Sequence, residues 1–475
     1  MIFASFEFCL FFVVVYSLIL LIRRRSFQHG VLLVASSVFY GWWDWRFLGL
    51  MWFVIFGSYL GAMFIQRRPH RARLICFLTV GLELLLLTFF KYTYFVSESL
   101  HGLAALLDFE ISMPSFSIVL PVGISFYVFQ AISYVVDVYR GDVKVERNPL
   151  RLGLYISFFP QLVAGPIVTA SDFLPQLDSD RNVSSSMLLT GIREIVIGFI
   201  YKTVLADNFS RISDAVYGDV GSYDNYSVVL GSIAFYSQIY FDFAGYSLMA
   251  IGLARMMGYT FSSNFDYPYS STSVTEFWRR WHISLSSWLR KYLYFSLGGN
   301  RKGKVRTYLN LMVTMLLGGL WHGASWNFFI WGGLHGIALV FHKVWSRVSG
   351  SVPGASAIFV RIVLGWILTQ VFVWICWIPF RADSFADMRT VFSAILGLRE
   401  SPGVSRLGIS VWVLLIPIVV DTMAGRLAGR FGSNCQPRVS DRIKLVATGL
   451  VLGLVFAVAL TLIRLDVKPF VYFQF

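Results

Sequence analysis

Runs of about twenty predominantly apolar residues, each long enough to cross the hydrocarbon core of a bilayer, recur along this whole chain and limit what it can fold into. In lipid, every backbone N–H and C=O must be satisfied within the protein, so such runs become helices packed on one another. Only 14% of the 475 residues are charged and 56% are hydrophobic, against roughly a quarter charged in soluble domains. A water-soluble globule is excluded. Because no soluble stretch exceeds a few dozen residues, the expected organisation is one membrane domain over 1–475 with no second catalytic module fused to it.

The formal charge of +14 could suit nucleic acid, but the basic residues lie in short clusters between apolar runs, where they orient helices relative to the cytoplasm. The first run, Phe6 to Ile22, is followed by Arg23, Arg24 and Arg25, the reverse of a secretory signal, and reads as a retained first span. Basic clusters there, at Arg67, Arg68, Arg71 and Arg73, and at Arg140, Lys144, Arg147 and Arg151 alternate with a nearly neutral aromatic turn (Gly41 to Arg46) and a loop without Lys or Arg (Ser97 to Ser117). Five spans with the N-terminus outside satisfy this alternation.

Farther on, Pro160, Gly165 and Pro166 in FFPQLVAGPI forbid a straight helix over Leu152 to Ala170 and predict a kinked or re-entrant segment, a hint of a cavity at membrane depth. Ile192 to Ala206 is expected to cross outward to an acidic loop carrying Asp207, Asp214, Asp219 and Asp224, and Val228 to Ala254 to cross back. The segment 256–307 is the most basic and belongs on the cytoplasmic side. Within it, WRRWHISLSSWLRKYLYFSL mixes Trp and Leu with Arg and Lys at helical spacing and predicts an interfacial amphipathic helix. Tyr308 to Phe341 forms two apolar halves, and Ile358 to Phe380, Ile409 to Ala424 and Val446 to Ile463 fit further spans. With Arg426, Arg430, Arg438, Arg442 and Lys444 marking another cytoplasmic loop, the expectation is an all-α polytopic fold of about a dozen crossing or re-entrant helices, both termini outside.

Ionisable side chains inside spans are costly and function-prone, and histidine is the cheapest to keep there because desolvation favours its neutral form. Of seven histidines, His29 and His70 beside arginines, His101 in the external loop and His342 next to Lys343 read as interfacial or solvated. His322 differs. It lies in an almost charge-free stretch, flanked by Trp321, Gly323, Ser325, Trp326 and Asn327, and reads either as the centre of a reaction pocket or as a buried histidine bonding to a neighbouring helix. His335, thirteen positions on, would lie about 20 Å away and on nearly the opposite face of a straight helix, so it shares that site only if the chain bends. Its neighbours Gly332 and Gly333 point to tight packing instead. His282 could approach from another element, with Arg279, Arg280, Arg290 and Lys291 meeting either anionic phosphates or lipid headgroups. Asp242, beside Tyr240, Gly245 and Tyr246, is either functional or bonded to helix ends or a tyrosine. Cys9, Cys76, Cys376 and Cys435 are scattered packing residues, and no metal, nucleotide or nucleophile-elbow motif is present.

WHGASWNFFIWGGLHG joins PVGISFYVFQAISYVVDVYRG (Pro121 to Gly141), FFPQLVAGP (Phe158 to Pro166), QIYFDFAGYSLMAIGLA (Gln238 to Ala254), NFDYPY (Asn264 to Tyr269), FWRRWHISLSSWLRKYLYFSLGGNR (Phe277 to Arg301) and the terminal FVYFQF. In this order they resemble the membrane-bound O-acyltransferase family nearly end to end, in particular the bacterial branch that acetylates exported polysaccharides such as alginate or cellulose. Leu248, where an acid is expected, and Pro379 in CWIPFRA depart from the family pattern and bear on substrate detail. The resemblance implies a ring of helices around a funnel or tunnel, a core formed by 256–307 and 308–341, His322 as the catalytic histidine and His282 facing it. It implies an inner-membrane enzyme that takes acetyl from acetyl-coenzyme A on the cytoplasmic side and has no bound cofactor. The acceptor it implies outside is a periplasmic acetyltransferase partner or the polysaccharide itself. Arg279, Arg280 and Lys291 are then expected to hold coenzyme phosphates, with Asp242, Trp321, Ser325 and Asn327 around the substrate. Two other readings stand beside this one: a transporter for an acyl carrier or glycan with His322 as proton relay, which should show inverted repeats and shows none convincingly, and a scaffold that recruits acetyltransferases.

Overall fold

A computed structural model describes residues 1–22, 24–109, 118–163, 165–179, 183–348, 355–401 and 407–431, and all regular elements among them are helical. The chain runs through α1 (Phe6–Leu21), α2 (Arg25–Gly41), α3 (Leu48–Arg67), α4 (Ala72–Leu106), α5 (Ile124–Arg140), α6 (Pro149–Ser157) and the short α7 (Phe159–Leu162) and α8 (Ala170–Phe173). Then α9 (Ser185–Ile200) passes through a π-helical turn (Tyr201–Ala206) into α10 (Asp207–Gly218), followed by α11 (Asn225–Met256), α12 (Val274–Arg280) and α13 (Ile283–Trp288). Last come α14 (Gly303–His322), α15 (Trp326–Val348), α16 (Ala355–Arg381), α17 (Phe385–Ile395) and α18 (Val411–Phe431). Four stretches are long and apolar enough to cross a membrane, Trp45–Arg67, Pro69–Leu106, Trp326–Val348 and Ile358–Arg381, and Phe6–Leu21 and Val411–Met423 are shorter apolar helices. The span expected over Val446 to Ile463, Cys435, and the basic residues Arg438, Arg442 and Lys444 lie outside the described residues.

The described residues group into two compact units, one built from 1–192, 250–262 and 323–325, the other from 193–249, 263–322 and the residues from 326 onward. In the first unit α3 packs on α4 and α5, and α2 packs on α6. Asn148 caps α6 by accepting from the Leu150 N–H at 2.9 Å, and Pro149 sits in its first turn, where a missing N–H loses nothing. The expected break is present: α6 stops at Ser157, and the Phe159 N–H, which has no place in a continuous helix here, donates to Ser36 Oγ of α2 at 3.0 Å. Residues 152–162 are all buried, so protein shields this irregular backbone. Helix α4 extends ten residues into the stretch expected as a loop, so Glu98 and His101 are helical, because the apolar pattern there outlasts the loss of positive charge. His29 is buried within α2 instead of lying in a loop.

In the second unit the two apolar halves of 308–341 fold back on each other as α14 and α15. A Cβ on Gly319 would lie 2.3 Å from the Phe328 carbonyl oxygen, and one on Gly332 2.4 Å from that of Met315. Only glycine permits this approach. Two expectations change here. The acidic outward loop begins as helix, with Asp207 and Asp214 in α10, because Asp207 is drawn into a buried ion pair with Lys202 at 2.9 Å. The amphipathic segment is not one helix but α12, a sharp turn at Trp281 and His282, α13, and a π-helical turn over Leu289–Tyr294.

Candidate active site

Helix α12 starts where Ser273 Oγ accepts from the Glu276 N–H at 3.2 Å while the Glu276 carboxylate accepts from the Thr272 N–H at 2.8 Å, and it ends at Arg280 because the chain turns into the left-handed region at His282 (φ 41°, ψ 57°). For a residue with a Cβ this costs about 1–3 kcal/mol and requires outside support. Asn264 supplies it. Its backbone carbonyl accepts from the Ile283 N–H at 2.9 Å, and its side-chain Oδ1 accepts from the Ser284 N–H at 3.2 Å and from Ser284 Oγ at 2.9 Å. The Ser284 N–H can only donate, so the Asn264 atom facing it is the oxygen, and His282 Nδ1, 3.2 Å from the same oxygen, must carry a hydrogen. That fixes the tautomer: Nε2 of a fully buried imidazole keeps its lone pair, with no hydrogen-bond partner among the described residues.

His322 ends α14 and is buried, its ring 5.0 Å from Trp321, 4.9 Å from Trp331 and 5.3 Å from Phe380 between centroids. The Trp321 indole also lies 6.0 Å from the His282 ring, so the two histidines, forty positions apart in sequence, share a neighbour. Phe243 of α11 closes the other side of His282 at 4.6 Å. The turn after α14 supplies the bend that brings His335 near: its ring is 4.7 Å from Trp331, the same indole that touches His322. His335 is itself held by the Trp278 indole N–H, which donates to its Nδ1 at 3.2 Å.

Of the other candidates, Trp321 and Asn327 are buried, and Asn327 Nδ2 donates to the Ala382 carbonyl at 2.8 Å, tying the start of α15 to the end of α16, the helix that presents Phe380. Ser325 sits half-buried in the turn after α14. Arg279 lines a cavity of about 480 Å³ together with Arg290 and Lys343, over apolar walls that include Trp278 and Met315. Arg280 instead pairs with Glu276 and Asp266, each at 3.0 Å, and Lys291 lies over the ring of Tyr292 at 5.1 Å. Asp242 is buried in α11 and accepts from Lys202 Nζ at 2.7 Å, completing a Lys202, Asp207 and Asp242 cluster.

Asn264, Trp331, Lys343 and Lys202 were not singled out by sequence reasoning. Asn264 lies in NFDYPY, where a lone asparagine among aromatics was a signal; Lys202 falls inside the expected span Ile192 to Ala206, where a charge was itself a signal, and Lys343 sits at the end of an apolar run and looks like a topology marker.

Residues 146–378 match the family model described as the membrane-bound O-acyltransferase family. Two relatives described as probable alginate O-acetylases AlgI are similar along most of the chain: the protein of Pseudomonas putida is 35% identical over 100% of both chains, and that of Pseudomonas aeruginosa 37% identical over 88% of this chain and 80% of its own. A peptidoglycan O-acetyltransferase of Helicobacter pylori is 33% identical over 77% of this chain and 73% of its own.

Proposed function

This chain belongs to the membrane-bound O-acyltransferase family, and we propose that it moves an acetyl group from acetyl-coenzyme A across the bacterial inner membrane to a hydroxyl on an extracytoplasmic acceptor used in exopolysaccharide O-acetylation. The observation that carries this reading is the pair of buried imidazoles, His282 and His322, in contact with one indole, in the same compact unit as a cavity bearing three cationic side chains. Positive-inside counting puts that basic segment on the cytoplasmic side, where a polyanionic thioester is met. Arg279, Arg290 and Lys343 hold its phosphates, and Trp321 and Asn327 shape the space about the acyl carbon.

His322 acts as general base. It takes the proton of the acceptor hydroxyl as the oxygen attacks the thioester carbonyl, the C–S bond breaks as the C–O bond forms, and the proton passes to the departing thiolate. Such catalysis is worth about 10²–10⁴ in rate. His282, whose buried Nε2 keeps its lone pair, orients the acceptor by accepting from a second donor group on it, since the attacking hydroxyl has one proton and gives it to His322. The helices exclude water that would otherwise hydrolyse the thioester. The acceptor is a periplasmic acetyltransferase or the polymer itself, and the chain works as one membrane domain with both termini in the periplasm.

The test is turnover of labelled acetyl-coenzyme A by the purified protein in detergent with a model alcohol. Thioester consumption should fall by about 10²-fold or more in His322→Ala. Movement of the label across vesicles without any turnover would favour the transporter reading instead.

A further inference from the structure

Outside this site, the first unit carries a carboxyl group that the reaction does not use. Glu83 of α4 is 2% exposed, inside the apolar stretch Pro69–Leu106. Its Oε1 accepts from Ser58 Oγ of α3 at 2.6 Å, while its Oε2 is buried with no hydrogen-bond partner among the described residues. The group lines a cavity of about 190 Å³ between α3 and α4, whose rim is formed by the exposed Phe53, Leu78 and Leu82, and a Cβ on Gly57 would meet nothing within 4 Å there.

What fills this groove must satisfy two conditions. The space suits one side chain, being far below the roughly 300–1,000 Å³ of ordinary small-molecule pockets. Glu83 also lies ten residues, about 15 Å, beyond Arg73, close to mid-bilayer, where acyl chains offer no hydrogen-bond donor and headgroups do not reach. A second copy of the chain pairing through the same patch would present Phe53, Leu78, Leu82, another Glu83 and Thr79, whose one hydroxyl hydrogen is already given to the Ile75 carbonyl at 2.9 Å. Among the described residues no further donor meets Oε2, and a polar side chain on another protein's transmembrane helix can supply one at that depth.

We propose that the α3–α4 groove receives a transmembrane helix of a partner protein, which inserts one Ser, Thr, Asn or Gln side chain to donate a hydrogen bond to Glu83. The experiment is photocrosslinking in native membranes with the full-length protein, with p-benzoylphenylalanine at Leu82 or Phe53 on the rim and at the exposed Phe77 on the far face of α4 as control, followed by mass-spectrometric mapping. The expected result is a rim-specific crosslink to a transmembrane peptide of another protein containing such a residue. Its yield should drop about three- to ten-fold in Glu83→Leu, the equivalent of one interhelical hydrogen bond, and likewise when that partner residue is changed to Leu. Gly57→Leu, which fills the groove, should abolish it, whereas Glu83→Gln, which keeps an acceptor, should retain it. Lipid adducts alone, a crosslink to this chain's own peptides, equal labelling from Phe77, or a crosslink indifferent to Gly57→Leu would each overturn the proposal.

Discussion

The imidazole of His282 depends on a single carboxamide for both its backbone geometry and its proton placement, since Asn264 holds the left-handed turn and accepts from Nδ1. Asn264→Ala should therefore lower kcat by about 10²-fold, comparable to losing a positioned acid–base partner, while KM for the thioester stays nearly constant. Asn264→Asp keeps the acceptor and should recover most of that loss. A drop in both variants alike, or a change confined to KM, would mean that ring orientation is not what Asn264 provides. Lys202 is a second residue on which its surroundings lean, because its ammonium pairs with both Asp207 and Asp242 out of reach of water. Removing one partner of a buried ion pair typically costs about 3–5 kcal/mol, so Lys202→Met should sharply reduce the amount of folded protein recovered in detergent.

At the scale of elements, the hairpin of α14 and α15 carries His322 at its bend, and its closeness is set by Gly319 and Gly332. Gly332→Ala puts a methyl 2.4 Å from a carbonyl oxygen and should cost about 1–3 kcal/mol, seen as a lower thermal midpoint in detergent together with lost turnover. At Gly333 the added methyl meets only the Leu316 side chain, at 3.6 Å, so Gly333→Ala should behave like wild type. Equal effects from the two would contradict the close-packing account. This hairpin was legible in the sequence, because an apolar run interrupted by Gly323 and Ser325 is too long for one span and marks its own turn. The break at His282 was not. No glycine or proline interrupts WRRWHISLSSWLRKYLYFSL, and the turn is imposed by Asn264, eighteen positions upstream, which periodicity within the segment cannot register. In the same way, Asp207 looked like a loop acid because local polarity says nothing of the Lys202 that buries it.

For the whole molecule, apolar length and composition conveyed the membrane class and the helical architecture, and the ordered motifs conveyed the family. Which cations border the cavity was beyond that reach. Arg279, Arg280, Arg290 and Lys291 have the same composition signal, and only folding separates Arg279 and Arg290, on the cavity wall, from Arg280, engaged by Glu276 and Asp266. The central claim is that the acetyl group enters on one side of the membrane and leaves on the other through His322. It is tested most directly in proteoliposomes of one orientation, with labelled acetyl-coenzyme A confined to the cytoplasmic face and a membrane-impermeant alcohol to the opposite face. The account predicts labelled ester on the alcohol with the wild-type protein and none with His322→Ala. Ester formation only when donor and alcohol share a face, or undiminished transfer by His322→Ala, would contradict it.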